Sequence, residues 1–239
     1  MPDLIPEASG NGQGVSSVAM LRLLSWLSPT FPSGAYSYSH GLEWAVEAAY
    51  VSDRESLVDW LDADLRFGSA RNEAIFFGES HRYADQNDLG KLAIVAELAA
   101  AYRGTAEFAL ESSQQAGAFL STLRRVWPDT ILDDLASFRM PPTVAVVVGA
   151  RTAKERIPLC FALHAFLHSY AANLVNAGVR LVPLGQTDGQ RALAELEPAI
   201  LHACRLGAEA SVDDLGSAGF SLEICSIAHE TQYTRLFRS

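Results

Sequence analysis

Three groups of side chains in this 239-residue chain have types and spacings that could do chemistry. The first is Ser37-Tyr38-Ser39-His40-Gly41, where a serine sits beside a histidine and a glycine. A nucleophile elbow presents its serine in a comparable setting, so acyl transfer by Ser39 is the reaction to weigh. Two features oppose it. The position two before Ser39 is serine where an elbow has glycine, and no strand pattern leads into the turn. A simpler role fits: Ser37 or Ser39 caps the following helix, its hydroxyl oxygen accepting an early amide.

The second group is Cys160, His164 and His168, which recur every four residues and so share one helix face. Thiolate and imidazole suit zinc or nickel, so a metal-binding helical protein is the alternative function this stripe allows. The glutamate of a His-Glu-x-x-His site is missing. The reading adopted is a self-association seam with His164 and His168 at its centre, because polar residues on an apolar helix fix pairing.

The third group is the tail from His229 to Ser239. Tyr233, Leu236 and Phe237 have i, i+3, i+4 spacing, and Arg235 and Arg238 add positive charge. Such a segment either docks on a partner as a helix in a groove or packs back on its own domain. Other chemistry is not supported. Gly185-Gln186-Thr187-Asp188-Gly189 lacks the lysine of a phosphate loop. Glu43 with Glu47, and Asp62 with Asp64, read as solvated faces rather than an acid/base pair. No catalytic residue and no resident cofactor are expected.

Bulk properties narrow the partners. Lysine and arginine total 18 against 28 aspartates and glutamates, a net charge of −10. No basic excess is available to displace counterions from nucleic acid, and anionic membranes are equally unsuited. Three dispersed cysteines fit a reduced cytoplasmic setting rather than a disulfide framework, with Cys204 and Cys225 read as buried small hydrophobes. No apolar run is long enough to span a bilayer.

The elements that must position these groups are helical. Apolar periodicity predicts helices over Val18–Leu27, Leu42–Val51, Arg71–Asp85, Leu89–Tyr102, Glu107–Trp127, Ile157–Val175, Gly189–Leu206 and Phe220–Ala228. Capping boxes are expected at Ser52-x-x-Glu55, opening a helix through Leu57, Leu61 and Leu65, and at Thr187-x-x-Gln190. Val144–Val148 has strand composition but no partner to pair with, so it reads as a buried helix. The expected architecture is a single compact all-α domain of about nine or ten helices. Residues 1–17 read as a disordered leader, 18–228 as the domain and 229–239 as a docking tail.

Three segments together resemble one family. They are Ser28-Pro-Thr-Phe-Pro-Ser-Gly-Ala-Tyr-Ser-Tyr-Ser-His-Gly-Leu-Glu43, Asn173 with Val179-Arg-Leu-Val-Pro-Leu-Gly-Gln-Thr-Asp-Gly-Gln190, and His229-Glu-Thr-Gln-Tyr-Thr-Arg-Leu-Phe-Arg-Ser239. They are similar to the UreF family of urease accessory proteins, in order and spacing, from about Leu21 onward. The resemblance implies an all-α homodimer without catalytic activity. It implies binding to the scaffold UreD (UreH in some organisms), recruitment of the GTPase UreG, and delivery of nickel, as cargo, to apo-urease. Carried over by motif, His229, Glu230, Tyr233, Arg235, Leu236, Phe237 and Arg238 are the expected partner-binding residues. Pro32, Gly34, Tyr36, Ser37, Ser39, Gly41 and Glu43, with Arg180, Pro183, Gln186, Asp188 and Gln190, are expected to shape that surface or support it from within.

Overall fold

A computed structural model describes residues 14–239, which form twelve α-helices. In chain order they are α1 (Ser17–Trp26), α2 (Leu42–Glu47), α3 (Arg54–Phe67), α4 (Ser69–Asp85), α5 (Leu89–Ala101) and α6 (Ala106–Val126). Then come α7 (Thr130–Ser137), α8 (Val144–Lys154), α9 (Leu159–Leu181), α10 (Gln186–Glu195), α11 (Glu197–Glu209) and α12 (Phe220–His229). No strand occurs among the described residues.

Helix α4 is the central rod. Ala70 and the unbroken run Asn72–Ser80 are buried, so the helix is covered on all sides, with α3, α5, α8, α9 and α11 against it. Two crossings are close enough to require glycine. A Cβ at Gly78 would collide with the Gly207 carbonyl on α11, and one at Gly149 of α8 would lie 2.6 Å from the Phe77 carbonyl. Val144–Val148 is helical as expected, and α8 is buried from Ala145 to Ala153. Burial on every face explains its β-branched composition, because packing overrides intrinsic strand preference.

The helix count exceeds the expected nine or ten for two reasons. An eight-residue helix, α7, follows Pro128; Asp129 caps it by accepting the Ile131 amide at 3.0 Å. The single helix expected over Gly189–Leu206 is two, α10 and α11, broken at Leu196 ahead of Pro198, which has no N–H to continue the ladder. Cap assignments shift as well. The box at α3 is Asp53 with Ser56, one residue later than Ser52 with Glu55: the Ser56 amide donates to Asp53 Oδ1 at 2.9 Å and the Asp53 amide to Ser56 Oγ at 3.1 Å. Thr187 and Gln190 form no cap, since α10 already starts at Gln186 behind Gly185.

The leader boundary also moves. Ser16 caps α1 by accepting the Ala19 amide at 3.2 Å, and Ser17 is its first residue. Most of the leader, residues 1–13, lies outside the described residues.

Candidate docking site at the tail and the serine-rich loop

The loop between α1 and α2 is shaped by left-handed backbone. Gly34 has φ of +76° ahead of a 3-10 turn at Ala35–Ser37. His40 (φ +57°) and Gly41 (φ +77°) then turn the chain into α2. Gly41 must be glycine for a second reason: a Cβ there would stand 3.1 Å from the Ser226 amide nitrogen of α12. Phe31 is pinned against Phe119 of α6, with ring centroids 4.4 Å apart. Asn173 and Arg180 of α9 donate to the Ala35 and Tyr36 carbonyls at 3.2 and 2.6 Å, and the Tyr38 hydroxyl donates to Gln114 at 2.5 Å.

Of the two serines expected to cap α2, Ser39 takes an early amide of the helix, although the N-cap residue itself is Gly41. The Ser39 hydroxyl oxygen accepts the Glu43 amide at 3.2 Å while its hydrogen is donated to the main-chain oxygen of Ser239 at 2.5 Å. The Ser39 amide donates to the same oxygen at 2.7 Å. The residue is wholly buried, and both its hydroxyl roles are in use, so no nucleophile is left.

The tail is laid onto this loop by buried carboxylates. Glu43, in the first turn of α2, accepts the Leu236 amide at 2.6 Å on one oxygen and the Phe237 amide at 2.9 Å on the other. His229 at the end of α12 lies between two acids, with Nε2 3.0 Å from Glu43 Oε2 and Nδ1 2.7 Å from Glu107 Oε2 on α6. Arg235 reaches the other Glu107 oxygen at 3.0 Å. Burial pushes the Glu107 carboxyl above its ordinary value, against the opposing charge of His229. The Arg238 amide donates to the Ser37 carbonyl at 2.8 Å. Phe237 is buried with the Arg180 guanidinium 4.1 Å over its ring, a cation–π contact worth about 0.5–1 kcal/mol because Arg180 itself stays exposed.

A second acid–histidine pair lies beneath. His40 Nδ1 is 3.2 Å from Glu111, and Nε2 is 2.6 Å from the Ser69 hydroxyl. These are the distances of a serine–histidine–acid triad, but the protons are placed otherwise. Ser69 Oγ also stands 3.1 Å from Asp64 Oδ1, a carboxylate that already accepts the Ala70 amide and the Tyr170 hydroxyl. Every contact is satisfied only if Ser69 donates to Asp64 and a charged His40 donates to both Ser69 and Glu111. That leaves no base to activate the serine. The His40 pKa is raised accordingly: burial would lower it, and the Glu111 charge and hydrogen bond outweigh burial. Glu111 also accepts the Ser239 hydroxyl at 2.7 Å.

The structure therefore divides the expected partner-binding residues. His229 and Phe237 turn inward and hold the tail to its own domain, whereas Glu230, Tyr233, Arg235, Leu236 and Arg238 remain exposed. Sequence reasoning missed α12 itself as a surface. Phe220, Ile224 and Ile227 are 66, 62 and 54 % exposed at i, i+4, i+7 spacing, an unpartnered apolar stripe on the helix from which the tail departs. That spacing was legible; what hid it was that a short helix beside a chain end reads as core. Pro183 lies in the turn into α10, and Gln186, Asp188 and Gln190 lie in its first five residues, where Asp188 pairs with Arg191 at 3.0 Å.

Cys160, His164 and His168 share the solvent face of α9 rather than a packed core. Among the described residues no group of three or more histidine, cysteine or acidic side chains converges to hold a metal. Cys204 and Cys225 are buried as expected, and burial pushes their thiols up to about 12 and about 11. Beside the α9 stripe, α1 exposes Val18, Leu21 and Leu24, and Phe161 of α9 is exposed too. A cavity of about 440 Å³ opens here, with Leu24 and His168 both in its wall. No helix among the described residues is long and apolar enough to cross a membrane.

An all-α domain with a tail clamped by buried ion pairs and apolar side chains left outside defines a protein built for contacts with other proteins. Comparison with known sequences is specific. The UreF family model matches residues 51–197, more than half of the chain. A urease accessory protein UreF of Rhodopseudomonas palustris (strain HaA2) is 46 % identical over 98 % of this chain and 100 % of its own length. One from R. palustris strain BisB5 is 49 % identical over 93 % of the chain and 92 % of its own, and one from Bradyrhizobium sp. (strain ORS 278) is 46 % identical over 98 % and 97 %. The chain belongs to the UreF family of urease accessory proteins. The loop and the tail fall outside the residues matched by the family model.

Proposed function

We propose that this chain is a non-enzymatic adaptor in urease maturation, acting in the cytoplasm. It docks on the scaffold UreD/UreH, helps recruit and regulate the GTPase UreG, and so serves delivery of nickel to apo-urease. Nickel is the cargo of that assembly and not a resident cofactor of this chain. The observation that carries the reading is the outward apolar set Phe220, Ile224 and Ile227 on α12 with Tyr233 and Leu236 on the anchored tail. Aromatic and aliphatic side chains held on a rigid base are what a binding hot spot requires, because less ordering entropy is lost on contact. The names of the relatives support urease as the enzyme served.

A homodimer fits the second apolar surface, Val18, Leu21 and Leu24 of α1 beside Phe161, with His164 and His168 as its polar seam.

Co-expression with the scaffold and affinity capture test the docking surface. The variants Ile224→Glu/Ile227→Glu and Tyr233→Ser/Leu236→Ser should each lose capture. Melting should stay within about 0.5 kcal/mol of the parent, since exposed substitutions rarely move stability further. Capture at the parental level by both variants would refute this surface.

A further inference from the structure

We propose that the tail is closed by a proton-carrying clasp, Glu43–His229–Glu107, which holds it on the fold at neutral pH and opens under alkaline conditions. The argument is one of counting protons. His229 is fully buried, and each of its ring nitrogens faces a carboxylate oxygen, at 2.7 and 3.0 Å. A carboxylate oxygen only accepts, so each contact needs its own hydrogen. The three groups must therefore hold two protons between them. A neutral imidazole beside two carboxylates holds one. Closure requires the second, whether it resides on the ring or on Glu107.

The clasp and the tail use the same carboxylates. Glu43 Oε2, which faces His229, also takes the Phe237 amide, Glu43 Oε1 takes the Leu236 amide, and Arg235 donates to Glu107 Oε1. Removing the second proton sets a nitrogen lone pair against a carboxylate in a site closed to water, and an unpaired buried charge is strongly unfavourable. The charged groups facing the ring come from every neighbouring element: Glu43 from α2, Glu107 from α6, Arg235 from the tail, and Glu230 next in the chain. Counting Glu43, Glu107 and Glu230 against Arg235, the doubly protonated clasp carries one net negative charge, and loss of the second proton makes it two. The His40–Glu111 pair repeats the device under Ser239, with Asp64 and the Glu73–Arg103 ion pair around it. The inference concerns the chain alone and stands or falls independently of whether the tail docks on a scaffold.

Amide hydrogen exchange of the full-length chain tests it, read as protection factors at Leu236 and Phe237 as the pH is raised from neutral into the alkaline range. One coupled proton predicts that protection falls about tenfold per pH unit where the second proton leaves, while α4 amides keep theirs. The Glu107→Gln variant sharpens the test. Its amide oxygen still accepts Arg235, and its NH2 donates to Nδ1 without titrating, so the alkaline loss should vanish at these two amides. Flat parental protection across the range, or an unchanged slope in Glu107→Gln, would overturn the clasp. If that variant loses helicity, the parental series decides alone.

Discussion

His229 Nε2 lies 3.0 Å from Glu43 Oε2, joining the last residue of α12 to the first turn of α2 across 186 positions of sequence. Glu43 is thereby the hub of the site, since the same carboxylate also receives two tail amides. Truncating one member of a buried pair leaves the other charge unpaired, at about 3–5 kcal/mol. Glu43→Ala should therefore lower stability by roughly that amount and free the tail for proteolysis, whereas Glu47→Ala, on the exposed side of the same helix, should change neither. Denaturant unfolding and limited proteolysis measure both effects.

The His40–Glu111 pair predicts a pH profile. His40 is raised above 6.5, so its contribution is fully present below that value and is lost as pH rises through the raised one. Glu111 is lowered below 4.5: burial opposes its charge, and the His40 charge and hydrogen bonds more than compensate. Its contribution is present above 4.5 and is lost as pH falls through the lowered value. Stability from this pair should thus be greatest between 4.5 and 6.5 and decline on both sides. Thermal melts across pH should be flatter for the His40→Gln/Glu111→Gln double variant than for the parent.

Helix crossing at α4 sets a contrast between glycines. Gly78→Ala drives a methyl into the Gly207 backbone and should cost about 1–3 kcal/mol or more by overpacking. Gly117→Ala on α6 meets nothing within 4 Å and should stabilise by about 0.5–1 kcal/mol through helix propensity. Opposite signs in urea midpoints are the expected result.

Thiol accessibility follows burial. At pH 8 a chromogenic disulfide reagent should titrate one fast thiol, Cys160, and reach Cys204 and Cys225 only after denaturation, because those two are buried and held protonated. Two or more fast thiols would contradict the packing around α11 and α12.

Self-association makes a fifth case. Leu21→Asp places a charge in the exposed apolar face of α1, where Leu21 is 64 % exposed. On the proposed homodimer, sedimentation should shift toward monomer with the helical signal unchanged; an unaltered sedimentation coefficient would exclude α1 from such a seam.

By itself the sequence determined the helical class, the buried character of α8, a serine hydroxyl (Ser37 or Ser39) at the start of α2 and the buried thiols, because periodicity, propensity and local hydrogen bonding act over a few residues. It also marked the loop and the tail as unusual and carried the family resemblance. It placed α3's cap one residue early and joined α10 to α11, since adjacent serine and aspartate compete for one cap and the Pro198 break is a backbone effect without apolar signature. Only the tertiary structure decided which way the tail side chains face. His229 and Phe237 could not be told from Tyr233 and Leu236 by spacing, because their burial depends on Glu43, Glu107 and Arg180, which the fold brings from α2, α6 and α9. Long-range ion pairs of that kind leave no periodic trace in a chain; they exist once the helices have met.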